Sequence, residues 1–317
     1  MARSTSSPVA ATRTSASTTS GVPRRPIALN LFISLRPAQW TKNLLVFAGL
    51  LFGRRLFEAR AVAAAVAAFA IFCALSGVVY LVNDVIDREN DRRHPLKAQR
   101  PIASGAVPVP VALATAGVLA CAALGASFAL GRTFVLVAGS YVGLLLLYSG
   151  PLKHIVIIDV LTIAVGFVLR AVAGAVAVDV AFSEWLLVCT ILLAMFIALA
   201  KRRHELVLLA DGATSHRPIL GEYSPYLLDQ MIAVVTASTL VAYIFYTISP
   251  ETQHKFGTAL LELTIPFPLY GIFRYLYLVH QREGGGSPAD LLLTDRPLLI
   301  CVVLWVLAVV LVVYRPF

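Results

Sequence analysis

Nine apolar runs, each about the length of a membrane-spanning helix, constrain this chain most. They occupy residues 27–52, 61–83, 107–130, 133–149, 155–178, 183–200, 230–249, 257–280 and 297–314. Apolar residues make up 59% of the 317 residues and charged residues only 14%, whereas soluble domains are about a quarter charged. The pattern predicts an all-α, polytopic integral membrane protein and argues against a soluble globular domain.

The first run is the least regular, because Arg36, Gln39, Lys42 and Asn43 interrupt it. If all nine runs cross, 19 of the 26 Lys and Arg lie on the side of the N-terminus, six lie on the other side, and Arg170 lies within a span. If the first run does not cross, the division becomes 13 against 12. Cytoplasmic loops are enriched in Lys and Arg. The distribution therefore predicts nine transmembrane helices, with the N-terminus cytoplasmic and the C-terminus outside.

Residues 1–26 contain no apolar run and are rich in Ser, Thr, Ala, Arg and Pro. They are predicted to form a disordered, basic cytoplasmic tail, and residues 27–317 a single transmembrane catalytic domain. Topology explains the net charge of +9, so nucleic-acid binding is not expected. The four cysteines lie in apolar runs without the spacing of metal ligands, and we interpret them as small buried hydrophobic residues.

An acidic cluster follows the second apolar run and reads Asn83-Asp84-Val85-Ile86-Asp87-Arg88-Glu89-Asn90-Asp91. Asp84, Asp87 and Asp91 are spaced i, i+3 and i+7, so on a continuous helix they share one face. Hard divalent cations such as Mg²⁺ prefer carboxylate oxygens and often keep phosphate oxygens as further ligands. The cluster predicts a Mg²⁺–phosphate site. The structural alternative is a solvated helix end balanced by neighbouring arginines.

Basic side chains accompany the cluster and recur in the second long inner loop. Lysine and arginine beside a Mg²⁺ site are typical of polyphosphate binding, although the same residues also serve membrane topology. Asp159 and Arg170 are eleven residues apart in the fifth run, about 16 Å along one helical face. An arginine within a span indicates either an anionic substrate or a structural ion pair with another helix.

These residues resemble a known family. The segment from Asn83 to Asp91, and the continuation His94-Pro95-x-Lys97-x-x-Arg100-Pro101-Ile102-x-x-Gly105, resemble the first aspartate-rich motif of the UbiA superfamily of intramembrane prenyltransferases. The resemblance extends from Arg36 to the last run and implies a nine-helix bundle around a cavity that opens to the cytoplasm. Where ordinary members carry a second DxxxD cluster, this chain has Lys201-Arg202-x-x-Glu205-Leu206. This variant is similar to the branch of decaprenyl-phosphate phosphoribosyltransferases, as are Arg36-Pro37-x-Gln39-Trp40-x-Lys42-Asn43 and Leu152-Lys153-His154.

The resemblance implies Mg²⁺-dependent transfer of 5-phosphoribose from phosphoribosyl diphosphate to a polyprenyl phosphate, with release of pyrophosphate, for lipid-linked sugar synthesis at the cell envelope. It implies a multi-pass protein of the bacterial plasma membrane, and a homo-oligomer is compatible with it. The metal ligands would be Asp84, Asp87 and Asp91, and Glu205 would orient the ribose or a second ion. The residues expected to bind the phosphate groups of the substrates are Lys42, Asn83, Arg88, Lys97, Arg100, Lys153, Arg170, Lys201 and Arg202.

Two alternatives belong to other functional classes. An ordinary UbiA prenyltransferase would move an isoprenyl chain from a prenyl diphosphate to an aromatic or tetrapyrrole acceptor, and the loss of the second acidic cluster argues against it. A transporter of anionic solutes would carry midplane charges and broken helices in both halves. In this chain the acidic cluster instead lies at the edge of a span.

Overall fold

The computed structural model describes residues 25–95, 97–181, 183–209, 218–281, 291–292 and 294–314. Within these ranges the protein is helical and contains no strand, which confirms the predicted all-α class. The prediction of a disordered tail at residues 1–26 falls almost entirely outside the described part of the chain.

The described α-helices are α1 (Ile27–Ser34), α2 (Ala48–Phe52), α3 (Ala59–Ile86), α4 (Arg88–Arg93), α5 (Val109–Ser127), α6 (Arg132–Ser149), α7 (Ile158–Ala177), α8 (Glu184–Leu209), α9 (Pro225–Ile248), α10 (Pro250–Phe256), α11 (Pro266–Gln281) and α12 (Arg296–Val313). Seven of these are long and apolar enough to cross a membrane, namely α3, α5, α6, α7, α8, α9 and α12. The pair formed by α10 and Leu260–Gln281 is bent by 100° and makes an eighth if it counts as one span. Nine transmembrane helices therefore remain a prediction.

The first apolar run is not one helix, and together with the bent pair it accounts for the difference between seven spans and nine. Between α1 and α2, residues Pro37–Phe47 form a 3₁₀ helix, whose rise of about 2.0 Å per residue covers more distance than an α-helix. Successive residues of the first run contact residues progressively nearer the N-terminus of α3. Arg36 pairs with Asp84, Asn43 bonds to Ser76, and Leu50 packs near Ala61. The run thus extends antiparallel to α3 along most of its length.

Glycine permits this irregular segment to lie directly on α7. A Cβ added to Gly174 would lie 1.8 Å from the carbonyl oxygen of Val46. Conversely, a Cβ added to Gly49, in α2 of the first run, would lie 2.6 Å from the backbone nitrogen of Ala175 in α7. Because backbone meets backbone at both places, no side-chain rotation could make room. The close approach positions the polar residues of the 3₁₀ helix against the core of the bundle.

The outer surface of the bundle is apolar, as the interior is. Val118, Leu136 and Leu311 are each more than 70% exposed, although they lie within long helices. Extended apolar surface is rare on soluble monomers and marks contact with lipid or protein. Together with the long apolar helices, this surface is that of a multi-pass membrane protein. The side of the membrane on which each terminus lies remains a prediction, as does a cavity open to the cytoplasm.

Candidate active site

Two of the three predicted metal ligands meet at the end of α3. Asp84 lies in the last turn of α3 and Asp91 lies in α4, and both are buried. Arg100 joins them, because its Nη1 lies 3.2 Å from Oδ1 of Asp84 and 2.6 Å from Oδ2 of Asp91. Arg36 donates a second charged hydrogen bond to Asp84. A buried carboxylate needs such compensation, and here two arginines provide it.

Asp87 occupies a different place from the one its spacing predicts. Helix α3 ends at Ile86 and α4 begins at Arg88, so Asp87 lies at a break and not on a continuous helical face. Its carboxylate receives a 2.7 Å ion pair from Lys153 and a 3.1 Å hydrogen bond from Asn83. Among the described residues, no three acidic, His or Cys side chains are arranged to hold one metal ion. In the structure Asp84 and Asp91 therefore share Arg100 as a partner, whereas Asp87 pairs with Lys153.

The C-terminal end of α8 faces the acidic cluster. Lys97 is half-buried, and the charges of Asp91, Glu205 and Asp87 all act on it. Burial, and then the charge of Arg100, lower the pKa of Lys97 below its ordinary value, although these carboxylates oppose the shift. Glu205 in turn pairs with Arg202 and lies 3.8 Å from Lys201. The segment after α4 and the C-terminal end of α8 thus line the same region.

Arg202 lies beneath this region in a buried ion pair. Its Nε lies 3.0 Å from Asp159, and both side chains are almost fully buried. Its two terminal nitrogens contact Glu205 and, at 3.4 Å, the hydroxyl of Tyr148. Arg202 was predicted to bind substrate, and that role is untested. In this structure all three of its nitrogens already have protein partners.

Tyr223 contacts the other carboxylate oxygen of Asp159, the one not bonded to Arg202. Its hydroxyl donates to Asp159 at 2.9 Å and accepts from the backbone N–H of Ile157 at 2.8 Å. Burial raises the pKa of Tyr223 to about 12, so the hydroxyl keeps its proton at neutral pH. Ile157 has φ 68°, a region that β-branched residues rarely adopt. The hydrogen bond from Ile157 therefore helps to hold a strained turn at the start of α7.

We expect Arg202→Met to destabilise the protein by about 3–5 kcal/mol, because it leaves Asp159 buried without its cation. The double variant Arg202→Met/Asp159→Asn should recover part of that loss. Thermal unfolding of the detergent-purified proteins measures both effects. Arg203→Met is the matched control, since Arg203 pairs with the more exposed Asp229, and such pairs contribute about 1 kcal/mol or less. Equal losses at the two positions would contradict the expectation.

Arg170 is the centre of a polar network deeper in the bundle. Its Nε donates to Asn43 at 2.7 Å, its Nη1 to the carbonyl of Gly166 at 3.0 Å, and its Nη2 to Tyr141 at 2.6 Å. The guanidinium carbon also lies 4.7 Å from the centre of the Tyr141 ring, a cation–π distance. The partners are neutral, so the structural ion pair considered for Arg170 is not present among the described residues. Its predicted contact with a phosphate stays a prediction.

Two residues predicted to bind phosphate, Lys42 and Arg88, have a charge without an ion-pair partner or a donor without an acceptor among the described residues. Lys42 makes no ion pair with any described residue, and the nearby charges that act on it are those of Lys201, Arg170 and Arg36. The Nε of Arg88 is buried and has no hydrogen-bond partner within the described ranges. Such groups favour an anionic ligand.

The sequence analysis did not select Arg36, Asp159, Tyr148 or Tyr223 as site residues. Arg36 stands in the segment that also contains Lys42, Asp159 is a charged residue in a predicted span, and Arg202 directly follows one. The requirement that buried charges be paired was an available signal. Which residues pair could not be found from spacing, since Arg36 and Asp84 are 48 positions apart.

Comparison with known proteins identifies the family. The model described as the UbiA prenyltransferase family matches residues 43–290. The chain belongs to the UbiA prenyltransferase family. Its relatives include the protein named decaprenyl-phosphate phosphoribosyltransferase of Corynebacterium glutamicum, 32% identical over 92% of this chain and 89% of that protein. The protein of the same name from Mycolicibacterium smegmatis is 34% identical over 91% of this chain and 93% of that protein.

The fold of this UbiA-family protein also has solved counterparts. A UbiA homolog from Archaeoglobus fulgidus, solved bound to GPP and Mg²⁺, superposes with a TM-score of 0.70 at 18% identity and covers 90% of this chain and 99% of that one. The same homolog bound to DMAPP and Mg²⁺ also gives a TM-score of 0.70. These structures support the fold, while the family match and the named relatives confirm the predicted family and the predicted class of transferase.

Proposed function

We propose that this UbiA-family enzyme transfers 5-phosphoribose from phosphoribosyl diphosphate to a polyprenyl phosphate of the decaprenyl type and releases pyrophosphate, in a Mg²⁺-dependent reaction. The observation that carries the proposal is its similarity, over about nine-tenths of the chain, to proteins named decaprenyl-phosphate phosphoribosyltransferase. We further propose nine membrane crossings in the bacterial plasma membrane, with the N-terminus and the two long loops cytoplasmic.

The charge of the candidate site supports this donor. Phosphoribosyl diphosphate carries a 5-phosphate besides its diphosphate, and the lipid acceptor brings another phosphate. A site for these groups needs more cations than a site for one prenyl diphosphate. Basic residues lie both at the acidic cluster and near Glu205, at the position where ordinary members are acidic; they are Arg36, Lys42, Lys97, Arg100, Lys153 and Lys201.

The residues at the end of α3 fit a divalent metal. A nitrogen of Arg100 lies between the carboxylates of Asp84 and Asp91, so a cation can be held between them. Their oxygens are the hard ligands that Mg²⁺ prefers, and Asp87 would complete the set after releasing Lys153. Bound Mg²⁺ would neutralise charge on the departing pyrophosphate.

The protein residues then perform binding and orientation. Arg100, Lys153 and Asn83 would bind the diphosphate, Lys42 and Lys201 a second phosphate, and Glu205 the ribose hydroxyls. The anionic oxygen of the lipid phosphate attacks C1 of ribose as the bond from C1 to the diphosphate oxygen breaks, which inverts C1. The nucleophile is already ionised, so the reaction needs no strong general base.

A donor screen tests the proposal. The purified enzyme in lipid nanodiscs receives polyprenyl phosphate and an aromatic acceptor, together with phosphoribosyl diphosphate, geranyl diphosphate or a longer prenyl diphosphate, and product masses are recorded. We expect the lipid to gain one phosphoribosyl group only with the first donor, and EDTA to abolish the gain. Turnover of a prenyl diphosphate on an aromatic acceptor, without response to phosphoribosyl diphosphate, would instead support the ordinary prenyltransferase function.

A further inference from the structure

The carboxylates proposed to bind the metal are already bound to cations of the chain itself. Arg100 contacts both Asp84 and Asp91 through a single nitrogen, and Arg36 contacts Asp84 from the other side. Two buried carboxylates thus face two guanidinium groups, and their formal charges cancel.

Because these four side chains carry no net charge, they should bind a metal ion weakly when it arrives alone. A divalent cation that enters the neutral group meets two guanidinium charges at close range, and like charges disfavour one another there. A diphosphate arriving with the metal reverses the balance, because it carries three or more negative charges and can accept hydrogen bonds from both arginines. Arginine binds phosphate oxygens with two parallel hydrogen bonds. The metal and the diphosphate should therefore bind cooperatively.

We propose that Arg36 and Arg100 are exchangeable counter-cations. They hold Asp84 and Asp91 in the ligand-free enzyme, and they move onto the donor's diphosphate when the metal takes the carboxylates. Arg36 thereby becomes a diphosphate-binding residue, and Arg100 couples metal binding to donor binding. The inference rests on the proposed function, since it takes a diphosphate as the ligand.

The positions of both arginines would allow their guanidinium groups to move from the carboxylates to a diphosphate. Each side chain is 27% exposed, whereas Asp84 is buried, so the cations lie on the open side of the carboxylates. Arg36 also lies 4.8 Å from the centre of the Tyr80 ring, which offers its guanidinium a second favourable contact. The backbone of Arg36 has φ 53°, a conformation that few non-glycine residues adopt. Surrounding contacts evidently hold Arg36 at this position beside Asp84.

Metal binding measured without turnover tests the proposal. Mn²⁺, which replaces Mg²⁺ at oxygen sites, is titrated into the purified enzyme with electron paramagnetic resonance detection, with and without inorganic pyrophosphate. For the wild type we expect weak Mn²⁺ binding alone and at least about tenfold tighter binding with pyrophosphate. For Arg100→Met we expect about tenfold tighter Mn²⁺ binding alone and a smaller effect of pyrophosphate. Coupling is reciprocal, so pyrophosphate binding in the presence of Mn²⁺ should weaken in the variant.

Arg93→Met is the matched control. It removes the same charge at an exposed position at the end of α4, within the same connection between α3 and α5, and it should behave like the wild type. Arg36→Met repeats the test with a second arginine, so the proposal stays testable if Arg100→Met does not fold. Mn²⁺ binding alone that is unchanged or weaker in both site variants would overturn the proposal while leaving the proposed function intact. No Mn²⁺ binding by the wild type, even with pyrophosphate, would overturn both.

Discussion

Asp84→Asn should lower the rate of phosphoribosyl transfer by at least about 100-fold, the scale seen when one charged or hydrogen-bonding group that stabilises a transition state is removed. The asparagine keeps the shape of the side chain but not its charge. It weakens the proposed metal site and releases Arg36 and Arg100 from their shared partner. Product formation from labelled phosphoribosyl diphosphate, at saturating Mg²⁺, measures the effect.

Glu89→Gln is the matched control for Asp84→Asn. Glu89 belongs to the same acidic segment, but it is exposed and pairs with Arg92 at 3.0 Å. Its replacement should change the rate less than twofold, because exposed pairs contribute little. Full activity of Asp84→Asn would remove Asp84 from the proposed metal ligands. Thermal unfolding of both variants separates a loss of chemistry from a loss of folded protein.

Gly174→Ala should prevent stable folding or lower the free energy of unfolding by about 3 kcal/mol or more, at the upper end of overpacking effects. The new methyl group would lie 1.8 Å from the carbonyl oxygen of Val46. Separating the two backbones would displace the 3₁₀ helix that contains Lys42 and Asn43. It would also disrupt the hydrogen bond from Arg170 to Asn43. Yield of monodisperse protein and thermal unfolding measure the result.

Gly143→Ala provides the comparison within the same bundle. A Cβ on Gly143, in α6, would meet nothing within 4 Å, and alanine favours a helix over glycine by about 1 kcal/mol. The variant should therefore be as stable as the wild type or slightly more stable. If Gly174→Ala proved equally harmless, α7 and the first apolar run would not be in contact at this point.

Most of the helices were predictable because each is a local property of the chain. An apolar stretch of about 20 residues forms a helix in a membrane regardless of its neighbours, and seven such helices are described. The first run was predicted to be a span, but its folding as a 3₁₀ helix between α1 and α2 was not predictable. That conformation depends on close backbone contact with α7, which no local pattern records.

The features of the candidate site likewise fall into those that the sequence could predict and those that it could not. The acidic cluster, the basic residues around it and the altered second motif could be selected from residue type, spacing and family resemblance, and their roles stay predictions. The break at Asp87 could not, because spacing assumes an uninterrupted helix. Nor could the partners of Arg170, which come from a distant segment and another helix.

The sequence by itself determined the helical membrane class, the family and the chemical types of the site residues, since these depend on local composition and short motifs. Only the tertiary structure decided which charges neutralise one another. Arg36 and Arg100 reach Asp84 because the first run packs against α3 and the loop after α4 folds back. Arg202 is committed to Asp159 because α7 and α8 bury both residues together. A buried charge requires a partner, but the packing of distant segments selects that partner.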